Sequence, residues 1–187
     1  QRGLVERLAR GQPDFSHSGY QALIASATQR QIPIHAIHTG DRIEVGECTF
    51  WVLHPASDRG YTLADINEAS VVLLMQYKNI RLLLTGDIGA VTENRLCHRF
   101  TNWRVDLVKA PHHGSRFSSS VGFLAEIKPH FAVMQVGKNA YGHPHWETRQ
   151  RYKQINAHVL RNDLDGTVRV TTWGETLRLY TTRSNRL

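Results

Sequence analysis

Metal-binding residue types stand at the ends of three predicted strands in this sequence. The segment LLLTGD ends in Asp87, VKAPHHGS carries His112 and His113, and NAYGHPH carries His143. In layered α/β folds, ligands collect where strands end and loops begin, so side chains from these segments are expected to converge. Carboxylate oxygens and imidazole nitrogens can both bind a divalent cation, which makes a metal site the first hypothesis.

Asp87 follows a strongly apolar strand, which would hold its carboxylate rigidly with the oxygens facing outward. In that position the carboxylate could bridge two cations. The competing interpretation is an N-cap for a helix that begins near Gly89, because aspartate is common where a strand turns into a helix. Taken alone, Asp87 favours the cap, and the other two segments strengthen the case for a metal.

His112 and His113 are adjacent, so in an extended backbone their side chains would point in opposite directions and could not serve one metal equally. His113 is the favoured ligand, because Gly114 allows the backbone to approach a metal or a phosphate closely. His112 would then lie behind the ligand or contact the substrate. Alternatively, the segment is a turn whose histidines are solvated or hydrogen-bonded in the core.

Two polar residues flank the histidine pair and could contact a phosphate group. Lys109 could supply a cation for a phosphate oxygen, and Ser115 could donate a hydroxyl hydrogen bond. A surface lysine is the alternative for Lys109. Ser118, within a run of three serines, could orient a phosphodiester, although serines that precede a helix more often cap it, and capping is the favoured interpretation here.

The third segment combines imidazole and aromatic faces that could contact a nucleotide, with His143 and Tyr141 as candidates. Asn139 and Gly142 would shape this loop and line the same substrate-binding position. His143 is also a candidate proton donor for a leaving alkoxide. The alternative is a rigid turn punctuated by glycine and proline, with His145 as a weak cap of the following helix.

The hydrophobic pattern predicts how these segments are positioned. Leu4, Val5, Leu8 and Ala9 recur at helical spacing and predict a first helix. A second helix is predicted after Ser18. Short β-rich runs over residues 34–53 predict an antiparallel meander. A hairpin buried on both faces is predicted for residues 70–77 and 80–85, with Asn79 in its turn. Strands and helices alternate over residues 90–145, and residues 166–180 predict a final hairpin. The fold class is therefore layered α/β.

Composition sets the broad class. A chain of 187 residues with 41% hydrophobic and 21% charged residues is predicted to form a single globular domain over residues 1–187. No apolar run approaches the roughly 20 residues that cross a bilayer. The net charge of +7 would favour a polyanion such as nucleic acid, or it could be a solvated basic surface. Cys48 and Cys97 are predicted buried thiols, with a disulfide as the alternative.

Several motifs together resemble the metallo-β-lactamase-like domain of the ComEC family, which takes up DNA in natural competence. They are LLLTGD, VDLVKAPHHGS with two serines following, KPHFAVMQVGKNAYGHPH and LRNDLDGTV, and Asn67 and Ser70 resemble a polar pair of that family. The resemblance implies a four-layer αβ/βα sandwich with a divalent metal, zinc or manganese, at its edge. It matches Asp87 to a bridging carboxylate, and His113, with His112 as the alternative, to a histidine ligand. Lys109, Ser115 and His143 match polar positions around the substrate phosphate.

The resemblance also implies a function. It suggests a hydrolase, phosphodiesterase or nuclease, that acts on DNA during uptake, with DNA and the rest of a membrane channel as partners, in a soluble domain on the extracytoplasmic side of the membrane. Such domains also carry an early Asp-x-Gly-type strand and an HxDxDH or HxHxDH loop, and this sequence has neither. The chain is therefore expected to be the C-terminal part of such a domain with an incompletely coordinated metal. The alternative function is a non-catalytic, basic nucleic-acid-binding or structural module.

Overall fold

The computed structural model describes residues 5–11, 17–57, 61, 66–101 and 103–183. Eleven strands and five helices lie in these ranges. In chain order they are β1 Leu8–Arg10, α1 Ser18–Gln29, β2 Ile34–Ala36, β3 Arg42–Val45, β4 Cys48–His54, β5 Val72–Tyr77, β6 Ile80–Leu84, α2 Ala90–Arg99, β7 Leu107–Lys109, α3 Val121–Ile127, β8 Phe131–Met134, α4 Trp146–Gln154, β9 His158–Arg161, α5 Asn162–Asp165, β10 Val168–Thr172 and β11 Leu177–Thr181.

A mixed sheet of seven strands, in the order β3-β4-β5-β6-β7-β8-β9, forms the centre of the molecule. Strands β3 to β6 pair antiparallel, and β6 to β9 pair parallel. Each parallel pair needs a crossover, and α2, α3 and α4 supply the three crossovers in turn. This order confirms the predicted layered α/β class and brings the carboxyl ends of β6, β7 and β8 to one edge of the sheet.

The two faces of the sheet are covered differently. Alternation along each strand sends Val108 into a core shared with Phe123 and Tyr152 of the crossover helices, and sends its neighbour Leu107 to the opposite face. There Leu107 packs with Leu179 of the β10–β11 hairpin. A helix layer, the seven-stranded sheet and the β10–β11 hairpin are thus stacked in that order, and the full four-layer sandwich remains a prediction for the complete domain.

Two local predictions in the first fifty residues were wrong. The helix expected at Leu4, Val5, Leu8 and Ala9 does not form where the chain is described: Leu8–Arg10 is a strand that pairs in parallel with Ile34–Ala36, and Val5 has no regular secondary structure. Leu4 lies outside the described residues. The β2 strand therefore belongs to a separate two-stranded sheet and not to the predicted meander. The predicted pairing of β3 with β4 is present.

The β5–β6 hairpin is present, with differences in detail. Lys78 rather than Asn79 adopts the positive φ of the turn, at 51°. The strands are not buried on both faces, because most of β5 is only half-buried and Leu84 is 38% exposed. The helix after Ser18 and the final hairpin were predicted correctly, whereas β9 and α5 were not predicted.

Both cysteines are free and half-buried, so no disulfide joins them and the prediction of full burial was too strong. Burial nevertheless raises the pKa of the Cys97 thiol. In the described part of the chain, no helix combines the length and the apolar character needed to cross a bilayer.

A buried carboxylate on α2 organises the loop between β7 and α3. Glu93 is fully buried and accepts hydrogen bonds from the backbone N–H groups of Ser119 and of Ser120, the latter at 2.8 Å. On the other side of the loop, Arg151 of α4 donates to the carbonyl oxygens of Ser118 and Ser119 at 2.7 and 2.9 Å. The loop is thus held between two helices by the Glu93 carboxyl group and the Arg151 guanidinium.

Replacing Glu93 is expected to change how stability depends on pH. Burial raises the pKa of Glu93 above its ordinary value of 4.5, so the folded state holds this proton more tightly than the unfolded chain. Its contribution to stability is greatest at low pH and is lost as pH rises through the folded pKa. Glu93→Gln cannot ionise, so the free energy of unfolding of the wild type relative to this variant should fall as pH rises from the ordinary glutamate value of 4.5 through the raised pKa of Glu93.

Urea unfolding of both proteins at several pH values measures this difference. Two curves that run parallel across the range would contradict the assignment of the buried proton to Glu93.

Candidate functional site

The three strand-end segments meet at one edge of the sheet. Asp87 follows β6, His112 and His113 follow β7, and His143 lies in the loop after β8. Asp87 Oδ2 is 3.4 Å from His113 Nε2, and the rings of His112 and His143 are in edge-to-face contact with centroids 5.5 Å apart. The side chains from the three segments therefore form one cluster, as their strand-end positions led us to expect.

The Asp87 turn is fixed by its neighbours and not by a helix cap. Gly86 has a φ of +56°, and a Cβ there would lie 2.5 Å from the Cβ of Ser70, so a larger residue would clash. The Ser70 Oγ accepts the Asp87 N–H at 3.0 Å. Helix α2 starts after Gly89, which makes no side-chain cap, and the Glu68 carboxylate instead accepts the Thr92 N–H at 3.0 Å. The Asp87 carboxylate is left to face His113.

The two histidines lie in a 3₁₀ turn, Pro111–Gly114, and not in an extended backbone. Their φ values are 47° and 55°, in the left-handed region that side chains with a Cβ rarely adopt. The expectation that adjacent histidines point in opposite directions therefore does not hold, because it assumed an extended chain. Strained backbone of this kind is concentrated at functional sites.

The His113 ring has the orientation of a metal ligand. Its Nδ1 lies 2.6 Å from the carbonyl oxygen of Gln135, so Nδ1 donates to that carbonyl and Nε2 faces Asp87. Histidine ligands in proteins are held in this way by a carbonyl or carboxylate behind the ring. His112 instead lies 3.4 Å, through Nε2, from the Asn67 amide nitrogen and packs on His143. The geometry thus favours His113 over His112 as a ligand.

Lys109 contacts the Asp87 turn from below. Its ammonium donates to the carbonyl oxygens of Gly86 at 2.6 Å and Ala110 at 3.3 Å, and to Asp87 Oδ1 at 3.4 Å. All three N–H bonds are used, and the side chain is only 15% exposed. Burial lowers the pKa of Lys109, and the charge of Asp87 opposes this shift. In this arrangement Lys109 holds Asp87 in place, and a phosphate contact would require it to release these partners.

The serines are structural in this fold. Ser115 is 3% exposed, and Ser118 is fully buried, with its hydroxyl donating to the carbonyl oxygens of Pro111 and Ser115. The substrate contacts expected of both residues stay predictions, and both residues are buried in this structure. Ser120 accepts the Phe123 N–H at 3.4 Å as the N-cap of α3, which agrees with the capping interpretation of the serine run.

The loop after β8 is built around Asn139. The Asn139 amide donates to the carbonyl oxygens of Gly137 and His143, and its oxygen accepts the N–H groups of Tyr141 and His143. These bonds use the full capacity of the amide, so Asn139 shapes the loop rather than binding substrate through its side chain. Gly142 has a φ of +72°, and Tyr141 is 83% exposed beside the His143 ring. Burial, and then the neighbouring His112, His113 and His145, lower the pKa of His143.

Residue-by-residue reasoning on the sequence missed several contributors to the site. The Gln135 carbonyl that orients His113 belongs to the backbone, so residue type carried no signal for it. Arg116 and Phe117 line a cavity of about 530 Å³ next to Asp87, with the guanidinium 4.6 Å from the Phe117 ring centroid. An exposed aromatic residue beside an arginine, directly after the histidine motif, was a usable signal.

The cluster fits part of a metal site. Asp87 and His113 offer one carboxylate and one imidazole nitrogen from adjacent loops, which zinc and manganese both accept. Within the ranges described, no three His, Cys, Asp or Glu side chains gather closely enough to hold an ion. A bound metal would therefore need ligands beyond these two.

The mixed sheet and its strand-end cluster define a layered α/β protein with a polar site at the sheet edge. The chain is 30% identical to ComE operon protein 3 of Bacillus subtilis over 88% of its own length, and 27% identical to Recombination protein 2 of Haemophilus influenzae over 97%. It is 36% identical to Competence protein ComA of Neisseria gonorrhoeae over 54%. It belongs to the ComEC family of competence proteins, and it spans 21%, 24% and 15% of the length of these relatives.

Two further comparisons accompany these. No protein-family model matches the chain. A solved structure described as a metal-dependent hydrolase, from Parabacteroides distasonis, superposes with a TM-score of 0.47 at 10% identity, covering 78% of this chain and 61% of its own.

Substitution of Gly114 should destabilise the protein. Gly114 has a φ of +82°, and an added Cβ would lie 2.8 Å from the Cβ of Pro144. Gly114→Ala is expected to lower the free energy of unfolding by about 1–3 kcal/mol. Gly122, in helix α3, has open space around it, so Gly122→Ala should be neutral or stabilising by up to about 1 kcal/mol. Urea unfolding of both variants measures the contrast, and equal effects would refute the role of the Gly114 conformation.

Proposed function

We propose that this chain supplies one side of a metal-dependent phosphodiesterase site that acts on DNA during uptake. The observation that carries the proposal is the Asp87–His113 pair, in which the Gln135 carbonyl orients the imidazole and turns Nε2 toward the carboxylate. Zinc and manganese are the proposed metals, with the remaining ligands coming from outside this pair. A metal bound there would act as a Lewis acid on the phosphodiester and would activate water.

The residues around the pair have separate tasks in this proposal. Ser70 and Lys109 fix the turn that presents the Asp87 carboxylate, through its backbone N–H and through Gly86. The left-handed turn brings His113 to the same side. His112 and His143 pack together beside the pair, where imidazole N–H groups can hydrogen-bond phosphate oxygens and orient the scissile group. The chain thereby holds both a metal and a substrate phosphate at one sheet edge.

DNA is the proposed substrate for two reasons. One relative is named a competence protein and another a recombination protein, and the chain itself carries a net charge of +7, which attracts a polyanion. The remainder of a membrane channel is the proposed protein partner. The proposed location is the extracytoplasmic side of the membrane, where incoming DNA would first meet the site.

Metal binding by the 187-residue chain tests the pair directly. Titration with Zn²⁺ or Mn²⁺ by calorimetry should show binding that weakens at least about tenfold in Asp87→Ala and in His113→Ala. His130→Ala is the matched control, because His130 also lies 3.7 Å from an aspartate, Asp106, outside the proposed cluster. Its affinity should equal that of the wild type.

The test is completed by measuring the hydrolysis of bis(4-nitrophenyl) phosphate and of single-stranded DNA in the presence of Zn²⁺ or Mn²⁺. Wild-type affinity and wild-type hydrolysis retained in Asp87→Ala would overturn the proposal.

A second candidate function is a non-catalytic nucleic-acid-binding module. Lys109 favours it, because the ammonium lies 3.4 Å from Asp87 and already compensates the carboxylate charge without a metal. Binding to single-stranded DNA should then be unchanged by a chelator. Its affinity should fall with salt at a slope of about 0.7 per phosphate contacted, on logarithmic axes. Measurable metal-dependent hydrolysis that Asp87→Ala abolishes would exclude this candidate.

A further inference from the structure

The β10–β11 hairpin has two chemically different faces. Its inner face packs into the core through aliphatic side chains, including Val170 and Leu179. Its outer face carries large aromatic and cationic side chains, Arg169, Trp173, Arg178 and Tyr180, all of them exposed. Trp173 is 66% exposed and Tyr180 is 50% exposed. Aromatic residues of this size are costly to leave in water, so their shared face indicates a partner.

Strand register places the aromatic and cationic groups alternately across the outer face. Arg169 stands opposite Tyr180 in the antiparallel pairing, and the Arg178 guanidinium lies 5.1 Å from the centroid of the Trp173 ring. Arg169, Trp173 and Tyr180 bound an open cavity of about 620 Å³, together with threonines of the same hairpin. The arrangement offers flat ring faces for stacking, with a guanidinium beside Trp173 and an arginine paired across the strands from Tyr180.

The charge on this face is not neutralised. Residues 167–183 contain three arginines and one acidic residue, Glu175. Among the described ion pairs, none involves Arg169 or Arg178. Two free guanidinium groups close to exposed rings therefore attract an anion that also has planar groups.

The basic surface continues past the hairpin tip. The Asn79 N–H donates to the Gly174 carbonyl at 3.2 Å, and the Lys78 side chain packs against Gly174. Lys78 also lines a groove of about 630 Å³ whose wall includes Arg81, Arg104 and Lys128, all exposed. A linear polyanion with regularly spaced charges could thus extend from the hairpin into this groove.

We propose that the outer face of the β10–β11 hairpin binds single-stranded nucleic acid. Bases stack on Trp173 and Tyr180, Arg169 and Arg178 contact the intervening phosphates, and the backbone continues past Lys78 into the basic groove. Stacking on side chains requires unpaired bases, which favours a single strand over a duplex. An acidic peptide would satisfy the arginines but would leave the ring faces without planar partners. This surface is separate from the Asp87–His113 pair, and its binding needs no metal.

Fluorescence anisotropy with a labelled oligothymidylate, in excess chelator, tests the proposal. Trp173→Ala should weaken binding at least about fivefold, because stacking of a base on an aromatic side chain is lost. Trp173→Phe keeps a ring face and should retain most of the affinity. Trp51→Ala is the matched control, since Trp51 is also exposed and lies 5.5 Å from an arginine, Arg42, on the seven-stranded sheet. It should bind as the wild type does.

The arginines are tested through salt. Arg169→Gln combined with Arg178→Gln should reduce the slope of log affinity against log salt by about 1.4, which corresponds to two lost contacts with a single strand. Thermal unfolding of each variant confirms that it is folded. Wild-type affinity in folded Trp173→Ala would overturn the proposal, as would competition by polyglutamate as effective as that by the oligonucleotide at equal charge. Neither of these results would affect the metal-binding test of the Asp87–His113 pair.

Discussion

The left-handed backbone of residues 112–114 is the constraint on which the site depends. It is tied to each neighbouring segment: the His112 N–H donates to Gly86 at the end of β6, the His113 ring bonds Gln135 after β8, and the Gly114 carbonyl accepts the His145 N–H at 2.9 Å. Non-glycine residues in this conformation cost about 1–3 kcal/mol each and persist only where their surroundings hold them. These three hydrogen bonds stabilise the left-handed conformation, and they also join the three strand ends into one cluster.

Support for this turn comes from beneath it. Thr148 of α4 donates its hydroxyl to the Ser115 carbonyl at 2.8 Å, while Glu93 and Arg151 hold the backbone that follows. The serines after the histidine pair therefore serve to bring polar backbone into the interior with its hydrogen bonds satisfied. Few side chains face the cluster at the sheet edge, and many more residues hold those few in position.

Features with a local signal were predictable from the sequence, and features fixed by distant partners were not. The apolar run before Asp87 predicted a strand end, and the alternation of strands and helices predicted that His113 would lie near it. The strand at Leu8–Arg10 depends on a partner 26 residues away, so its local helical spacing was misleading. Ser118 is held by Arg151, 33 residues later, and nothing near it in the sequence indicates its burial. The left-handed histidines likewise depend on Gly86 and Gln135.

The loop built around Asn139 is stabilised from within. Its four side-chain hydrogen bonds all begin and end between residues 137 and 143, so none of them depends on the sheet. Positions 140–142 are exposed and contribute no side chain to the core. Mutations at these positions can therefore accumulate without loss of folding, provided that the Asn139 amide and the backbone conformation at Gly142 are kept. Residues 140–142 are thus the part of this sheet edge whose side chains can change without disturbing the fold.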